Sequence, residues 1–244
     1  KVHVCVPDRF HQHALAGHGM NVSDLDMLKN ATKGYYKLLS DIDMEYKEWS
    51  YPADSTVVFG GCFDGNGYKI YNFTINRNGH CGFVEYMNKD AVIRNLILGS
   101  KDGETYDGVS KFTYTPGEEA GSWVHVGSVA AKVDGNSLLE NVTNFIHLET
   151  PDSEGTAKVC MGGITSMGSS KETISNCVNY GNFTVANGSD NGETGYITLH
   201  LGGCVGVQFN LNWATLAELT NYGNITLDAS YSSGTWNIAG VIGY

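Results

Sequence analysis

Apolar and polar residues alternate with the period of a strand in short segments separated by Gly- and Asn-rich turns, and one stretch alone carries helical spacing. The segment that sets the pattern is Phe59–Ile75, FGGCFDGNGYKIYNFTI. Its two apolar halves flank Asp64-Gly65-Asn66-Gly67, and because Gly and Asn tolerate positive φ this run predicts a sharp turn. The following YKIYNFTI mixes aromatic and β-branched residues in alternation, the composition of a half-buried strand.

The pattern repeats. Ile174–Val185 aligns without gaps on Leu216–Leu227, and both contain Asn-Tyr-Gly-Asn followed by apolar-Thr-apolar. Each copy follows a Gly-rich strand, Met161-Gly162-Gly163-Ile164 in one and Leu201-Gly202-Gly203-Cys204 in the other. Val126-Gly127-Ser128-Val129 and Ile238-Ala239-Gly240-Val241 fit the same position, so Gly127, Gly162, Gly202 and Ala239 mark a period of 35, 40 and 37 residues. Val92–Leu96 and Leu138–Val142 supply the second strand of two earlier units. A solenoid is expected in which Ile93, Leu139, Ile174 and Leu216 stack inside at the ~4.8 Å spacing of strands. Asn95, Asn141 and Asn176 are then expected at equivalent corners as an amide ladder.

These residues carry a resemblance. FGGCFDGNGYKIYNFTI, Cys81-Gly82-Phe83-Val84 and Ile93-Arg94-Asn95-Leu96, entered through Tyr35–Leu38 and Asp41–Met44, resemble the GLUG-motif repeat family over about Val22 to Tyr244. Arrays of that family occur in secreted or surface-attached microbial proteins, including adhesins and non-catalytic parts of immunoglobulin-cleaving proteases. The resemblance implies a scaffold, a right-handed parallel β-helix or related all-β solenoid, and leaves function to whatever the scaffold displays.

The helical stretch lies in Asn21–Leu39: Ser23 is placed to cap it, Asp24 and Asp26 suit its first turn, and Leu25, Met27 and Leu28 make its apolar stripe up to Gly34. A short helix there would cap the open first rung. The division expected is an N-terminal segment, 1–40, with a VHVCV strand and this helix, then one array over 41–244. Gly99–Gly121 lengthens the repeat to about 46 residues, from Cys81 to Gly127, and reads as a hairpin excursion. The chain stops on Ile238–Tyr244, the opening strand of a further rung, so continuation of the polypeptide or head-to-tail docking on an identical copy is expected.

Charge and chemistry narrow the function. A formal net charge of −11 argues against nucleic acid and against anionic lipid, and no apolar run reaches the roughly 20 residues of a membrane span. No secretory leader is visible, and a chain opening on Lys1 reads as processed or as a fragment. His3, His11, His13 and His18 crowd the N-terminus with no paired cysteine or carboxylate spacing beside them, which favours a polar surface segment over a metal site. Tyr68 and Lys69 break the calcium-loop pattern that Asp64 begins, and zinc-protease, nucleophile-elbow and phosphate-loop signatures are absent. No acidic cluster recurs across rungs, so a non-catalytic structural or adhesive surface module is expected, with no cofactor and with a surface protein, a glycan or its own copies as partners. The alternative is a carbohydrate-binding or polysaccharide-degrading β-helix, with Trp49, Trp123, Trp213 and Trp236 as sugar platforms.

Six cysteines allow 15 full pairings. Cys177 and Cys204 fall on apolar repeat positions and read as core residues, while Cys62 and Cys81 flank one strand pair and are the first choice for a disulfide in an extracellular protein. Seven glycosylation sequons fall at Asn21, Asn30, Asn72, Asn141, Asn182, Asn187 and Asn224. Four of them, Asn72, Asn141, Asn182 and Asn224, arise inside repeat strands, where Asn suits a bend and Thr suits a strand.

Overall fold

The computed structural model of the chain describes residues 22–30, 32–51, 58–88, 90–115, 123–150, 158–169, 171–186, 198–209, 213–227 and 235–243. It is all-β apart from two single turns of helix, α1 (Val22–Leu25) and α2 (Met27–Asn30). Two entry strands, β1 (Tyr35–Lys37) and β2 (Ile42–Glu48), precede β3 (Cys62–Asp64) and β4 (Lys69–Arg77). The first regular turn of chain contains β5 (Val84–Met87), β6 (Val92–Leu98) and β7 (Lys111–Tyr114). The next has β8 (Trp123–Gly127), β9 (Ala130–Val133), β10 (Leu138–Asn144) and β11 (His147–Thr150). After it come β12 (Lys158–Gly162), β13 (Thr165–Gly168), β14 (Thr173–Asn179) and β15 (Phe183–Val185). The last strands are β16 (Thr198–Gly202), β17 (Val205–Gln208), β18 (Thr215–Asn221), β19 (Ile225–Leu227) and β20 (Thr235–Ala239).

Strands at the same place in successive turns pair in parallel and stack into three sheets. A 12-stranded sheet follows the path β18-β14-β10-β6-β4-β7-β11-β15-β19, joined by β1, β2 and β3. A second sheet is β20-β16-β12-β8 and a third is β17-β13-β9-β5. Stacked parallel sheets of this kind are the architecture of a parallel β-helix, and the expected interior column is present: Phe63, Ile93, Leu139, Ile174 and Leu216 are register partners in sequence. One apolar cluster runs through the interior from Leu25 and Leu28 to Leu201 and Val205.

The apolar-x-x-apolar spacing within each middle strand has a backbone cause. Asn95, Asn141 and Asn176 have φ near +50° (53°, 54° and 52°), a left-handed conformation that Asn adopts more readily than most residues. One such residue shifts the strand's phase, so that Ile93 and Leu96, Leu139 and Val142, or Ile174 and Cys177 all point inward and are buried. The three amides form the expected ladder, which starts on a carboxylate. Asn95 Nδ2 donates to Asp64 Oδ1 at 3.0 Å, Asn141 to Asn95 Oδ1 at 2.8 Å, and Asn176 to Asn141 Oδ1 at 3.3 Å. Asp64 also receives Arg94 Nε and Nη2 at 3.0 and 2.8 Å, and its Oδ1 accepts the Asn66 N–H inside the Asp-Gly-Asn-Gly turn. A second ladder explains the Asn-Tyr-Gly-Asn motif: Asn144 donates to Asn179 at 2.7 Å and Asn179 to Asn221 at 2.8 Å. Each of these amides also satisfies the backbone two residues on, as Asn179 does with both the N–H and the C=O of Gly181. The adjoining rings stack as well, Phe145 on Tyr180 at 4.8 Å and Tyr180 on Tyr222 at 4.9 Å.

Several expectations need correction. The thiol of Cys81 is free and buried, so the Cys62–Cys81 pairing is not formed; Cys62 is disulfide-bonded to a partner outside the described residues. The predicted helix is broken at Asp26, whose N–H bonds to Ser23 C=O, and by Tyr35 the chain is in a strand paired with β3. Pairing offered to the aromatic pair Tyr35-Tyr36 outweighs helix propensity there. Leu25 and Leu28 are nonetheless buried against the interior, as an end cover requires. Within Gly99–Gly121, Lys111–Tyr114 is no hairpin: it is the rung strand β7, parallel to β4 and β11, with Phe112 and Tyr114 buried. The VHVCV segment and the N-terminal histidines lie outside the described residues. At the other end, Ile238 pairs with Leu201 and Ala239 with Gly202, as the repeat predicted, and Ile238 stays 45% exposed.

Two outcomes follow from the ladders. Asn179→Ala strands buried partners on both sides, and a loss of about 2–4 kcal/mol is expected in denaturant unfolding. Glu218 occupies the left-handed ladder position at φ 54° in the last copy. Because Asn suits that conformation better, Glu218→Asn is expected to stabilise by up to about 1 kcal/mol, read as a raised unfolding midpoint.

A candidate binding groove

The second and third sheets meet at a corner where each unit places a small residue in register, Gly127, Gly162, Gly202 and Ala239. The chain folds back so tightly there that a Cβ on Gly162 would lie 1.9 Å from Thr165 O and 2.6 Å from Gly206 N. The fold-back turns the outer faces of the two sheets toward each other. Between them is a groove of about 440 Å³. On one wall it shows His125, Cys160 and His200, which are register partners on β8, β12 and β16. On the other stand Lys132, Met167 and Val207, partners on β9, β13 and β17. Trp123 and Phe209 line it as well and are 40% and 51% exposed.

The first wall continues beyond the groove as a column of imidazoles. His80 Nδ1 accepts the backbone N–H of His125 at 3.1 Å, which requires a lone pair and holds His80 neutral. The two rings lie 5.2 Å apart. His125 Nδ1 lies 3.0 Å from Ser166 Oγ, and His200 Nδ1 lies 3.2 Å from Asn237 Nδ2. Burial, with Lys132 adding to it, pulls the His80 imidazolium down to about 4, and holds that of His125 far below the ordinary range. Burial pushes the Cys160 thiol up to about 12, so at neutral pH it is protonated and a poor nucleophile. His125 and Cys160 are thus uncharged at neutral pH. Among the described residues no group of three or more His, Cys, Asp or Glu is placed to hold a metal ion.

The tryptophans sort by environment. Trp49 is core: it stacks on Phe83 at 5.4 Å and its Nε1 donates to Phe83 O. Trp236 packs partly buried against the interior, Trp213 stands under Lys171 outside the groove, and Trp123 alone of the four lines it. Of the sequons, Asn21 and Asn187 lie outside the described residues and Asn30 ends α2. Asn72 and Asn141 spend their amides on Asp43 and Asn95, while Asn182 Oδ1 accepts the N–H of Asn224. A glycan on Asn141 would have to stand between ladder neighbours one strand spacing away, about 4.8 Å.

Sequence reasoning aligned the corner glycines but passed over the residue two before each. That residue is His125, Cys160, His200 or Asn237, and its phase relative to the glycine puts it outside. The signal was present as a polar or small residue at a position where a core strand would carry Val or Leu.

No family model matches the chain, and no curated protein matches it. Among solved structures it is similar to one described as a "putative immunoglobulin A1 protease" from Bacteroides ovatus, at 16% identity and a TM-score of 0.38, over 91% of this chain and 83% of that one.

Two tests follow from the site. The buried, neutral imidazoles bind protons less well folded than unfolded. Stability is therefore full above the unfolded value of about 6.5 and falls as pH drops below it. Urea midpoints are expected to decline between about pH 6.5 and 5, and His125→Gln is expected to flatten that decline. At the corner, Gly162→Ala is expected to cost well over about 3 kcal/mol, because backbone rather than a movable side chain occupies the Cβ site.

Proposed function

We propose that the chain is a non-catalytic module of an extracellular or cell-surface protein, a right-handed parallel β-helix in the manner of the GLUG-motif arrays. Its turns take about 35–40 residues in the later rungs, and its role is to hold a surface-displayed ligand in the groove between the second and third sheets. The groove is the observation that carries this reading. It joins side chains from three successive turns, and exposed aromatic rings stand beside the uncharged His125 and Cys160, the composition of a binding site. Its candidate nucleophile is protonated, its histidines are engaged through their Nδ1 atoms, and among the described residues no carboxylate lines it to act as general acid or base. The disulfide at Cys62 supports an oxidising compartment.

A carbohydrate-binding role is the second reading, favoured by the exposed rings of Trp123 and Phe209. Binding of the immobilised chain to arrays of glycans and of surface proteins separates the two. Trp123→Ala is expected to weaken capture about tenfold or more, the loss typical of a ring at the centre of a site. Capture that survives this substitution, or cleavage of the captured ligand, would overturn the proposal.

A further inference from the structure

We infer that the groove takes a carboxylate carried on an apolar body, the carboxylate against Lys132 and the body along Met167, Val207 and Phe209. This rests on the groove being the chain's binding site.

The argument is one of complementarity. Lys132 is half-buried, and in a chain of net charge −11 it is, among the described residues, the charged side chain that lines the groove. The described ion pairs use Lys29, Lys47, Lys69, Arg77, Arg94 and Lys111, and Lys132 is not among them. The carboxylate that acts on it through space, Glu85, is already 3.6 Å from Arg77 Nη1. Burial lowers the affinity of Lys132 for its proton, the mark of an ammonium partly stripped of water without full compensation. A ligand carboxylate supplies that compensation through a charge-assisted hydrogen bond.

The rest of the groove selects the body. Met167, Val207 and Phe209 offer carbon and sulfur, and the histidine Nδ1 atoms already face Ser166 and Asn237. Beyond Lys132, the imidazole Nε2 atoms and the Trp123 indole N–H, the lining offers little to the many hydroxyls of a neutral sugar, whose burial without partners is costly. A phosphate or sulfate is matched poorly by one ammonium, since such groups are held by several donors. A single carboxylate on an aromatic or branched aliphatic group fits both walls. A free acid and the C-terminus of a peptide share this chemistry.

Isothermal titration of the whole chain tests it with 4-phenylbutyrate against its amide, and with the peptide Gly-Gly-Phe against its C-terminal amide. At least one acid is expected to bind about tenfold or more tighter than its amide, the worth of one hydrogen bond to a charged group. Lys132→Met is expected to erase that preference and Lys132→Arg to keep it. Phe209→Ala should weaken acid and amide alike, and Trp213→Ala should change neither. Preference for phenylbutyrate assigns a free acid, and preference for the peptide acid assigns a chain terminus. Equal binding of acid and amide, a preference that survives Lys132→Met, or no binding of either acid to the folded chain would overturn the inference. Trp123-dependent capture of a neutral oligosaccharide, with both acids silent, would overturn this ligand while leaving the groove as the site.

Discussion

Everything in this fold depends on each turn of chain bending at the height where the turn below it bends. Parallel strands satisfy their neighbours' backbone groups only while they stay in register, and a bend breaks the hydrogen-bond pattern at one residue per turn. Asparagine resolves both problems. It accepts the left-handed backbone that the bend requires, and its amide donates to the amide one turn away, so each bend is tied to the next. The buried column Asn144–Asn179–Asn221 applies the same device to the exit from the middle strand, with the backbone of the following residues drawn in. Where the ladder begins, Asp64 takes the place of an amide, and Arg94 balances its charge.

The second constraint is the corner. Backbone atoms of adjacent strands approach so closely at Gly127, Gly162 and Gly202 that no side chain fits, and the outer faces of two sheets are left facing across a narrow gap. Such a gap removes water from whatever lines it. That is why His125 on an outer face, where an imidazole would ordinarily titrate near neutrality, is held unprotonated, and why a thiol pointing away from the core is as resistant to ionisation as one within it. A groove made this way has chemistry of its own: His125 and Cys160 uncharged along one wall, the other mostly apolar and interrupted, among the described residues, by the Lys132 ammonium.

Long stretches of this arrangement are legible in the chain. The matched Asn-Tyr-Gly-Asn motifs, the corner glycines and the apolar-x-x-apolar spacing give the register of the later turns, because a stacked solenoid imposes the same local demand on every rung. The first turns are harder to read, since they break the rule: Glu45 and Tyr46 take left-handed conformations without an amide, and Lys111–Tyr114 sits behind an insertion that hides its place in the coil.

The sequence by itself therefore determined the all-β stacked architecture, the interior column from Ile93 to Leu216 and the amide ladder. All three follow from rules that act within one repeat and recur in the next. Only the tertiary structure decided that Cys62 does not pair with Cys81, the fate of each tryptophan and the existence of the groove. His125, Cys160 and His200 share no motif, and Lys132 and Phe209 stand on another sheet. What brings them together is the angle between two sheets, a property of the folded coil with no counterpart in any single stretch of chain.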